Sequence, residues 1–334
     1  MTEPLDNVRD ISRIAYGFMA SKVLFAALEL DLFGRLAGTP KSVDELAGET
    51  GLLASRLEIL LTACVSLGLL VKPSDAYGNA PASQAYLVRG APSYFGDYYR
   101  FQIDRQVYPA FARLPDALRG ERADFYRLMD DPEEALSFSR GQHAGSLGPA
   151  VVLARTVDLK GARRLLDVGG GSGAFSITLC RRFPGLTATI LDFPSVQAAA
   201  AAFVREAGMS ERIAFTPGDA LITEWPAGQD VVLLSYLLSA VSARGVDQLL
   251  ARASAALTPG GRIVLHDFMV DDEGRGPATA ALWLVNALMM DPDVARLSPG
   301  LLEQRLVAQG FERLEHAEVI PAITRAVTAV KRSA

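Results

Sequence analysis

From Ser21 the chain reads SKVLFAALELDLFGRLAG, with apolar residues recurring at helical spacing up to a glycine, the pattern of an amphipathic helix. Ser42 with Glu45 and Ser55 with Glu58 each have capping-box spacing, in which serine and glutamate satisfy free N–H groups of a first turn. Two further helices are therefore predicted to start at those serines. The second, SRLEILLTACVSLG, is apolar on nearly every side and must be buried. LLVK, the turn PSDAYGN and another short segment then read as a β-hairpin. Helices followed by such a wing suggest a winged helix, a shape that often reads DNA through its last helix. Here that helix offers phosphates only Arg56 near its start, so burial against a second copy of the chain is the better reading. Tyr94 to Tyr108, YFGDYYRFQIDRQVY, follows as a helical stretch rich in rings, either a bridging helix with core aromatics or a lid over an apolar substrate.

After about residue 160 the pattern changes to short apolar runs alternating with helical ones: RRLLDV, SITLCRRF, TATILDF, SVQAAAAAFVREAG, RIAFT, DVVLLSY, VDQLLARASAAL and GRIVLHDF. This predicts an α/β domain, a parallel sheet with crossover helices, whose ligands bind at the carboxyl ends of the strands. The first strand ends in Asp167-Val168-Gly169-Gly170-Gly171-Ser172-Gly173, where glycines permit a tight turn and let a ligand approach the backbone. With Ala174 the run also satisfies the looser GxGxxA spacing of nicotinamide dinucleotide sites, so the motif alone leaves a reductase open. Against that, glycines at alternate positions leave less of the next helix's N-terminus free for a pyrophosphate. Asp192 ends the second strand, placed to accept hydrogen bonds from both ribose hydroxyls. Asp219, in Gly218-Asp219-Ala220 after the third strand, is either a turn residue or the acceptor for an adenine amino group.

The 334 residues, half of them hydrophobic, suffice for two domains with a large core. Lysine and arginine total 33 against 38 acidic residues, and the net charge of -5 offers nucleic acid or an anionic membrane no general attraction. A small, uncharged or amphipathic ligand fits better. Cys64 and Cys180 lie in apolar helical patterns with no Cys or His at metal-ligand spacing, so both read as buried thiols and no metal is expected. The start MTEPLDNVRD is polar and acidic where a signal peptide is basic and then apolar, and no uninterrupted apolar run reaches membrane-spanning length. A cytoplasmic enzyme is the expectation.

The ordered set LLDVGGGSGAF, LDFPSV, GDAL and LTPGGRIVLHDF, with the N-terminal helices and wing, resembles the two-domain family of S-adenosylmethionine-dependent small-molecule O-methyltransferases over nearly the whole chain. The resemblance implies a class I methyltransferase Rossmann-like sheet, a mainly helical winged-helix domain that forms a homodimer, and a small-molecule substrate held between the domains. Residues 1–92 would be the winged helix, 93–160 a helical bridge and lid, and 161–334 the S-adenosylmethionine domain. On the same ground Gly169 and Gly171 would face the cofactor's methionine part, Asp192 its ribose, and Asp219 with Ala220 its adenine. Ser235, closing the fourth strand, would lie near the cofactor.

The resemblance fails at one place. O-methylating members carry His-Asp-Trp after the fourth strand, and the histidine takes the proton from the substrate hydroxyl; here Ser239, Ala240 and Val241 stand there. Two histidines remain as catalytic candidates. His266 lies near the carboxyl end of the fifth strand and His143 in FSRGQHAGSLGPA before the glycine turn; each also reads plainly as a packed side chain, and His316 as a surface one. Methyl transfer depends largely on placing a nucleophile in line with the methyl group, and carbon or sulfur needs less help with a proton. Family branches without the signature include a C-methyltransferase acting on a bacteriochlorophyll precursor and enzymes that use the cofactor without methylating. The expected function is therefore small-molecule methyl transfer to an undecided acceptor atom, with a non-methylating enzyme or a ligand-binding winged-helix regulator as alternatives. Candidate substrate contacts are Tyr98, Tyr236, and Trp283, Asn286 and Met290 of ATAALWLVNALMMDPDV, a stripe that also reads as core. A helix from about Pro299 and strands around RLEHAEVI and TRAVTAVK close the chain, fitting a reversed last strand.

Overall fold

The computed structural model describes residues 4–121 and 131–333. Two compact units divide the chain, Thr2–Tyr108 and Pro109–Ala334, the division falling within the 93–160 segment.

In the N-terminal unit α1 (Val8–Glu29) begins well before Ser21, because Asn7 caps it by accepting the Asp10 N–H at 3.1 Å. The pattern read from Ser21 is its second half. It ends before the glycine because Asp31 takes the left-handed conformation (φ 52°), and a separate short helix, α2 (Leu32–Arg35), follows. α3 (Val43–Thr50) has the predicted capping box: Ser42 Oγ accepts the Glu45 N–H at 3.3 Å and the Glu45 carboxylate accepts the Ser42 N–H at 2.7 Å. α4 (Ala54–Ser66) lacks one. Its cap is Leu53, whose carbonyl already accepts the Arg56 and Leu57 N–H groups at 3.0 Å, so the helix is under way before Ser55. β1 (Leu70–Val71) and β2 (Gly78–Asn79) pair antiparallel as the wing, and α5 (Pro81–Tyr86) follows. Leu28, Leu32, Phe33, Leu46, Leu61 and Cys64 share one core. The ring-rich segment is a π-helix, Tyr98–Val107, with the Tyr98 ring 4.9 Å from that of Phe95 and 5.7 Å from that of Tyr99.

Two apolar faces of this unit are uncovered. α4, expected to be buried all round, leaves Ile59 73% exposed, and α1 exposes Val8, Ile11, Ile14 and Phe18 at helical spacing. By length and composition α1 is long and apolar enough to cross a membrane. Arg9, Asp10, Arg13 and Lys22 interrupt it, however, and Ala27 and Leu28 near its end belong to the unit's own core.

The single turn α6 (Tyr108–Ala110) spans the boundary; in the C-terminal unit a second, α7 (Leu114–Ala117), precedes α8 (Pro132–Thr156), which Asp131 caps by accepting the Glu133 N–H at 2.8 Å. Then come β3 (Arg164–Val168), α9 (Ala174–Arg182), β4 (Thr187–Asp192), α10 (Gln197–Glu206), β5 (Ile213–Pro217) and β6 (Gln229–Ser235). α11 (Ala243–Ala256), β7 (Leu257–Phe268), α12 (Ala278–Met290), α13 (Pro299–Ala308), β8 (Phe311–Ile320) and β9 (Thr324–Lys331) complete it. The strands form one sheet in the order β5-β4-β3-β6-β7-β9-β8, parallel from β5 to β7 and antiparallel at β9 and β8. This is the class I methyltransferase α/β fold with its reversed last strand.

Period-two alternation sorts the strand residues to two faces. Leu166, Val232, Leu234 and Leu265 pack toward α11 and α13, and Leu165, Val231, Leu233 and Val264 toward α8, α9 and α10. Because the strand order reverses beside β3, a crevice opens at the carboxyl ends of β3 and β6. Cys64 and Cys180 are both buried thiols, as read from the sequence, and burial pushes each up to about 11.

Candidate active site

β3 delivers the chain to Gly169, Gly171 and Gly173, whose φ angles of 68°, 52° and 77° all lie in the left-handed region. Space matters as well as conformation: a Cβ on Gly169 would stand 3.0 Å from Leu237 Cδ1, and one on Gly173 2.8 Å from Ile190 Cδ1. The Gly171 N–H donates to Asp192 Oδ2 and the Phe193 N–H to Oδ1, each at 2.7 Å. One bond per oxygen leaves a lone pair on each. Burial raises the Asp192 carboxyl, and the two N–H bonds work against that rise. Asp167, at the end of β3, is 1% exposed; its Oδ2 accepts the Ser176 hydroxyl at 2.6 Å, while Oδ1 has no partner among the described residues. Burial pushes this acid up to about 6. Asp219 Oδ1 accepts the Leu221 N–H at 2.8 Å, a turn role, and the Ala220 carbonyl accepts Trp225 Nε1–H at 3.0 Å.

His143 of α8 braces the glycine turn. Its Nδ1 lies 3.0 Å from Ser172 Oγ and its ring stacks on Phe203, centroids 3.9 Å apart and 6° from parallel. Burial, with Arg181 adding to it, pushes this imidazole down to about 4, so it is neutral near pH 7. His266 is sealed in the sheet: Nδ1 lies 2.9 Å from Ser235 Oγ, Nε2 3.0 Å from Thr324 Oγ1, and none of its surface is exposed. Burial pushes it down to about 3. Both ring nitrogens are engaged, so the catalytic expectation for His266 is corrected: a core position leaves it no atom for a substrate proton. His316 pairs with Glu303 at 2.7 Å on the surface, as expected.

At the carboxyl ends of β6 and β7 stands an aromatic wall. Tyr236 (φ 56°) donates its N–H to the His266 carbonyl at 2.8 Å, and its ring lies 5.1 Å from Phe268, which stacks on Trp283 of α12 at 4.4 Å and 15°. Asn286 and Met290 share that helix, Asn286 buried and Met290 half-buried. The 3-10 turn Leu238–Ala240, which packs against α12, carries Ser239; its N–H donates to Asp267 Oδ2 at 3.0 Å, while the Phe268 N–H donates to Oδ1 at 2.8 Å. Asp267 is wholly buried, and burial pushes it up to about 6 against the opposing pull of the Ser239 hydroxyl and these N–H groups.

Residues 117–312 match the model of an O-methyltransferase domain, and residues 12–89 that of an O-methyltransferase dimerisation domain. The chain belongs to this O-methyltransferase family. It is an S-adenosylmethionine-dependent methyltransferase acting on a small molecule. The 3-hydroxy-5-methyl-1-naphthoate 3-O-methyltransferase of Streptomyces sahachiroi is 36% identical over 287 residues, covering 84% of this chain and 82% of that one. The tetracenomycin polyketide synthesis 8-O-methyl transferase of Streptomyces glaucescens is 32% identical over 309 residues, covering 90% and 91%. Among solved structures, human N-acetylserotonin methyltransferase in complex with S-adenosylmethionine superposes with a TM-score of 0.87 at 28% identity, covering 100% of both chains.

The glycine turn of this methyltransferase fits its cofactor on two observations. The turn keeps its backbone bare at Gly169, where a Cβ would crowd Leu237, and Asp167 Oδ1 is a buried acceptor with no donor among the described residues, which an ammonium group would satisfy. Of the residues singled out in the sequence, the fold joins Gly171 to Asp192, Ser235 to His266, and Tyr236 through Phe268 to Trp283. It places His143 with Ser172 and Phe203 instead, and Tyr98 lies in the N-terminal unit. Ser172, Phe203, Phe268 and Asp267 escaped sequence reasoning. For Asp267 a signal existed: an acidic residue inside the otherwise apolar end of a strand demands a partner.

Proposed function

We propose that this methyltransferase methylates a hydroxyl group on a planar aromatic small molecule. The aromatic wall of Tyr236, Phe268 and Trp283 carries the reading, because stacked rings at the strand ends favour a flat, apolar acceptor. The naphthoate and tetracenomycin activities named for the two Streptomyces relatives support it. When bound, S-adenosylmethionine supplies a methyl group made electrophilic by the sulfonium charge.

The chain's own residues bind and orient. Asp192, already tied to the turn, offers its two remaining lone pairs to the ribose hydroxyls; Gly169 and Gly171 present bare backbone to the methionine part. Asp219 and Ala220 flank the adenine, and Ser235 acts at second hand, anchoring His266 beneath Tyr236. Trp283, Asn286 and Met290 line the acceptor side, with the buried Asn286 amide as a polar fix on an otherwise apolar helix. Orientation in line with the methyl group then supplies most of the rate.

Incubation with S-adenosylmethionine and a panel of hydroxynaphthoates tests this. The expected result is S-adenosylhomocysteine in equal amount to a methyl ether, identified by the NMR shift of the new methyl group. A second reading, a carbon acceptor, draws support from the absence of an imidazole at Ser239-Ala240-Val241, and a methyl signal on a ring carbon would select it. Release of S-adenosylhomocysteine with no methylated product would overturn both.

The proposal extends to a homodimer formed through the N-terminal unit, supported by the dimerisation-domain match and the uncovered row Val8, Ile11, Ile14 and Phe18, and to action in the cytoplasm on a biosynthetic small molecule.

A further inference from the structure

After β5 the chain makes a short turn through Asp219 and Ala220 before β6 begins at Gln229. Asp219 opens that turn: its Oδ1 accepts the Leu221 N–H at 2.8 Å, and its carbonyl accepts the Ile222 and Thr223 N–H groups at 3.0 and 2.8 Å. No second turn follows, so the carbonyls of residues 220–223 lack the N–H groups that a continuing helix supplies. Each of the four receives a side-chain donor instead. Trp225 Nε1 donates to the Ala220 carbonyl at 3.0 Å and Gln248 Nε2 to that of Leu221 at 2.6 Å. The Arg252 guanidinium spans the last two, Nη2 donating to the Ile222 carbonyl at 3.1 Å and Nη1 to that of Thr223 at 2.6 Å.

Three of these four bonds come from α11. Gln248 and Arg252 stand four residues apart on it, beside the buried Leu249 and Ala253, so the helix packs on the core with one face and reaches the turn with the next. Among the described residues no carboxylate pairs with Arg252, and its donors go to this turn. Apolar packing holds the turn less firmly: Ala220 and Leu221 lie half-buried against the core, and Ile222 is 78% exposed. Thr223 carries the grip to the ribose side. Its side chain lies against Gly218, where a Cβ would collide with Thr223 Oγ1, and the Gly218 N–H donates to the Asp192 carbonyl at 2.8 Å. Arg252 thus reaches, through Thr223 and Gly218, the strand end that carries the proposed ribose acceptor.

We infer that Gln248 and Arg252 set the cofactor site's selectivity for adenine, as positioning residues that hold the Asp219 turn in the shape that reads the base. The inference rests on the adenine role proposed above for Asp219 and Ala220. The Leu221 N–H engages Asp219 Oδ1, and no group among the described residues engages Oδ2, which leaves that oxygen to accept an exocyclic amino group. A base with a carbonyl in that place sets a second acceptor against the carboxylate and is rejected. Rejection of this kind needs the carboxylate held still. A turn free to shift would bring water or a backbone N–H to the carbonyl instead, and the preference would fade.

Calorimetry with S-adenosylhomocysteine and S-inosylhomocysteine, whose base carries a carbonyl in place of the amino group, tests the clamp. The wild type should bind the first at least about tenfold more tightly, and Asp219→Asn should remove that preference. Arg252→Ala should weaken S-adenosylhomocysteine binding about threefold to tenfold and change S-inosylhomocysteine binding less than about twofold, so the preference shrinks. Arg252→Lys should recover part of the loss, because an ammonium lacks the fork that spans two carbonyls. Gln248→Ala should act in the same direction, and the double variant Gln248→Ala, Arg252→Ala further than either. In the free protein the Leu221, Ile222 and Thr223 amides of the double variant should exchange faster while those of β3 and β4 keep their wild-type rates. Equal losses for both ligands, or faster exchange throughout the sheet, would make the two residues general supports and overturn the inference. A wild type without preference, or a preference that survives in Asp219→Asn, sinks the adenine reading and the inference with it. A preference that Asp219→Asn removes and the double variant keeps overturns the clamp alone. Gln248 is exposed and Arg252 half-buried, so their loss opens no core cavity, and Gln248→Ala decides should an Arg252 variant fail to fold.

Discussion

Asp192 ties the glycine turn to β4 and is also the proposed ribose acceptor, so its carboxylate serves structure and binding at once. Asp192→Ala should weaken S-adenosylmethionine binding by about 1.5–3 kcal/mol, the scale of hydrogen bonds to a charged group, measured by calorimetry. Unchanged affinity would place the ribose elsewhere. Gly173 combines a left-handed φ of 77° with a Cβ position 2.8 Å from Ile190 Cδ1. Gly173→Ala should therefore destabilise the fold by about 1–3 kcal/mol, read from the urea midpoint; a change below about 0.5 kcal/mol would show that Ile190 yields freely. Both residues were legible in the sequence, since a strand followed by alternate glycines is a local pattern. The fate of His266 was not. Nothing within its neighbourhood in the chain distinguishes a base from a buried imidazole bonded to two hydroxyls.

Among elements, α1 carries the clearest unmet demand. Val8, Ile11, Ile14 and Phe18 are 76%, 57%, 71% and 51% exposed, an apolar stripe that a lone unit leaves in water. The double variant Ile11→Glu, Phe18→Glu should shift sedimentation from dimer to monomer; a chain that sediments as a monomer before substitution would remove the dimer proposal altogether. α8 matters through one side chain. His143→Ala removes both the Ser172 contact and the Phe203 stack, and should raise the Kd for S-adenosylmethionine about threefold to tenfold while leaving kcat at saturating cofactor nearly unchanged. A fall in kcat without a change in affinity would restore His143 as a catalytic group. The predicted box of Ser42 and Glu45 formed because both partners lie in one turn; that of Ser55 and Glu58 did not, because the Leu53 carbonyl had already started α4. The π-helix at Tyr98–Val107 was illegible for a related reason, since over ten residues its spacing of apolar positions barely differs from that of an α-helix.

For the C-terminal unit as a whole, the buried histidines His143 and His266 and the buried aspartates Asp167, Asp192 and Asp267 set opposing pH dependences, burial raising Asp192 as it raises the other two acids. His143 and His266 are held at about 4 and about 3, below their ordinary 6.5, and their contribution is present above 6.5 and lost as pH falls. Asp167 and Asp267 are held at about 6, above their ordinary 3.8, and their contribution is present below 3.8 and lost as pH rises through about 6. Above about pH 4 the histidine and aspartate contributions oppose one another. Asp167→Asn removes one falling contribution, so from about pH 4 to 6 its melting temperature should climb more, or fall less, with pH than that of the wild type; a steeper fall than the wild type's would reverse the assignment. The sequence by itself determined the alternation of strands and helices, the glycine turn, the acid ending β4, the two buried thiols and the loss of an imidazole after β6, because each is a property of neighbours in the chain. Tertiary structure alone decided which polar groups share a proton. His143 meets Ser172 across 29 residues, His266 meets Ser235 across 31 and Thr324 across 58, and Asp267 meets Ser239 across 28. Hydrogen bonds of that reach depend on how the sheet brings strand ends together, and no local pattern of residues encodes them.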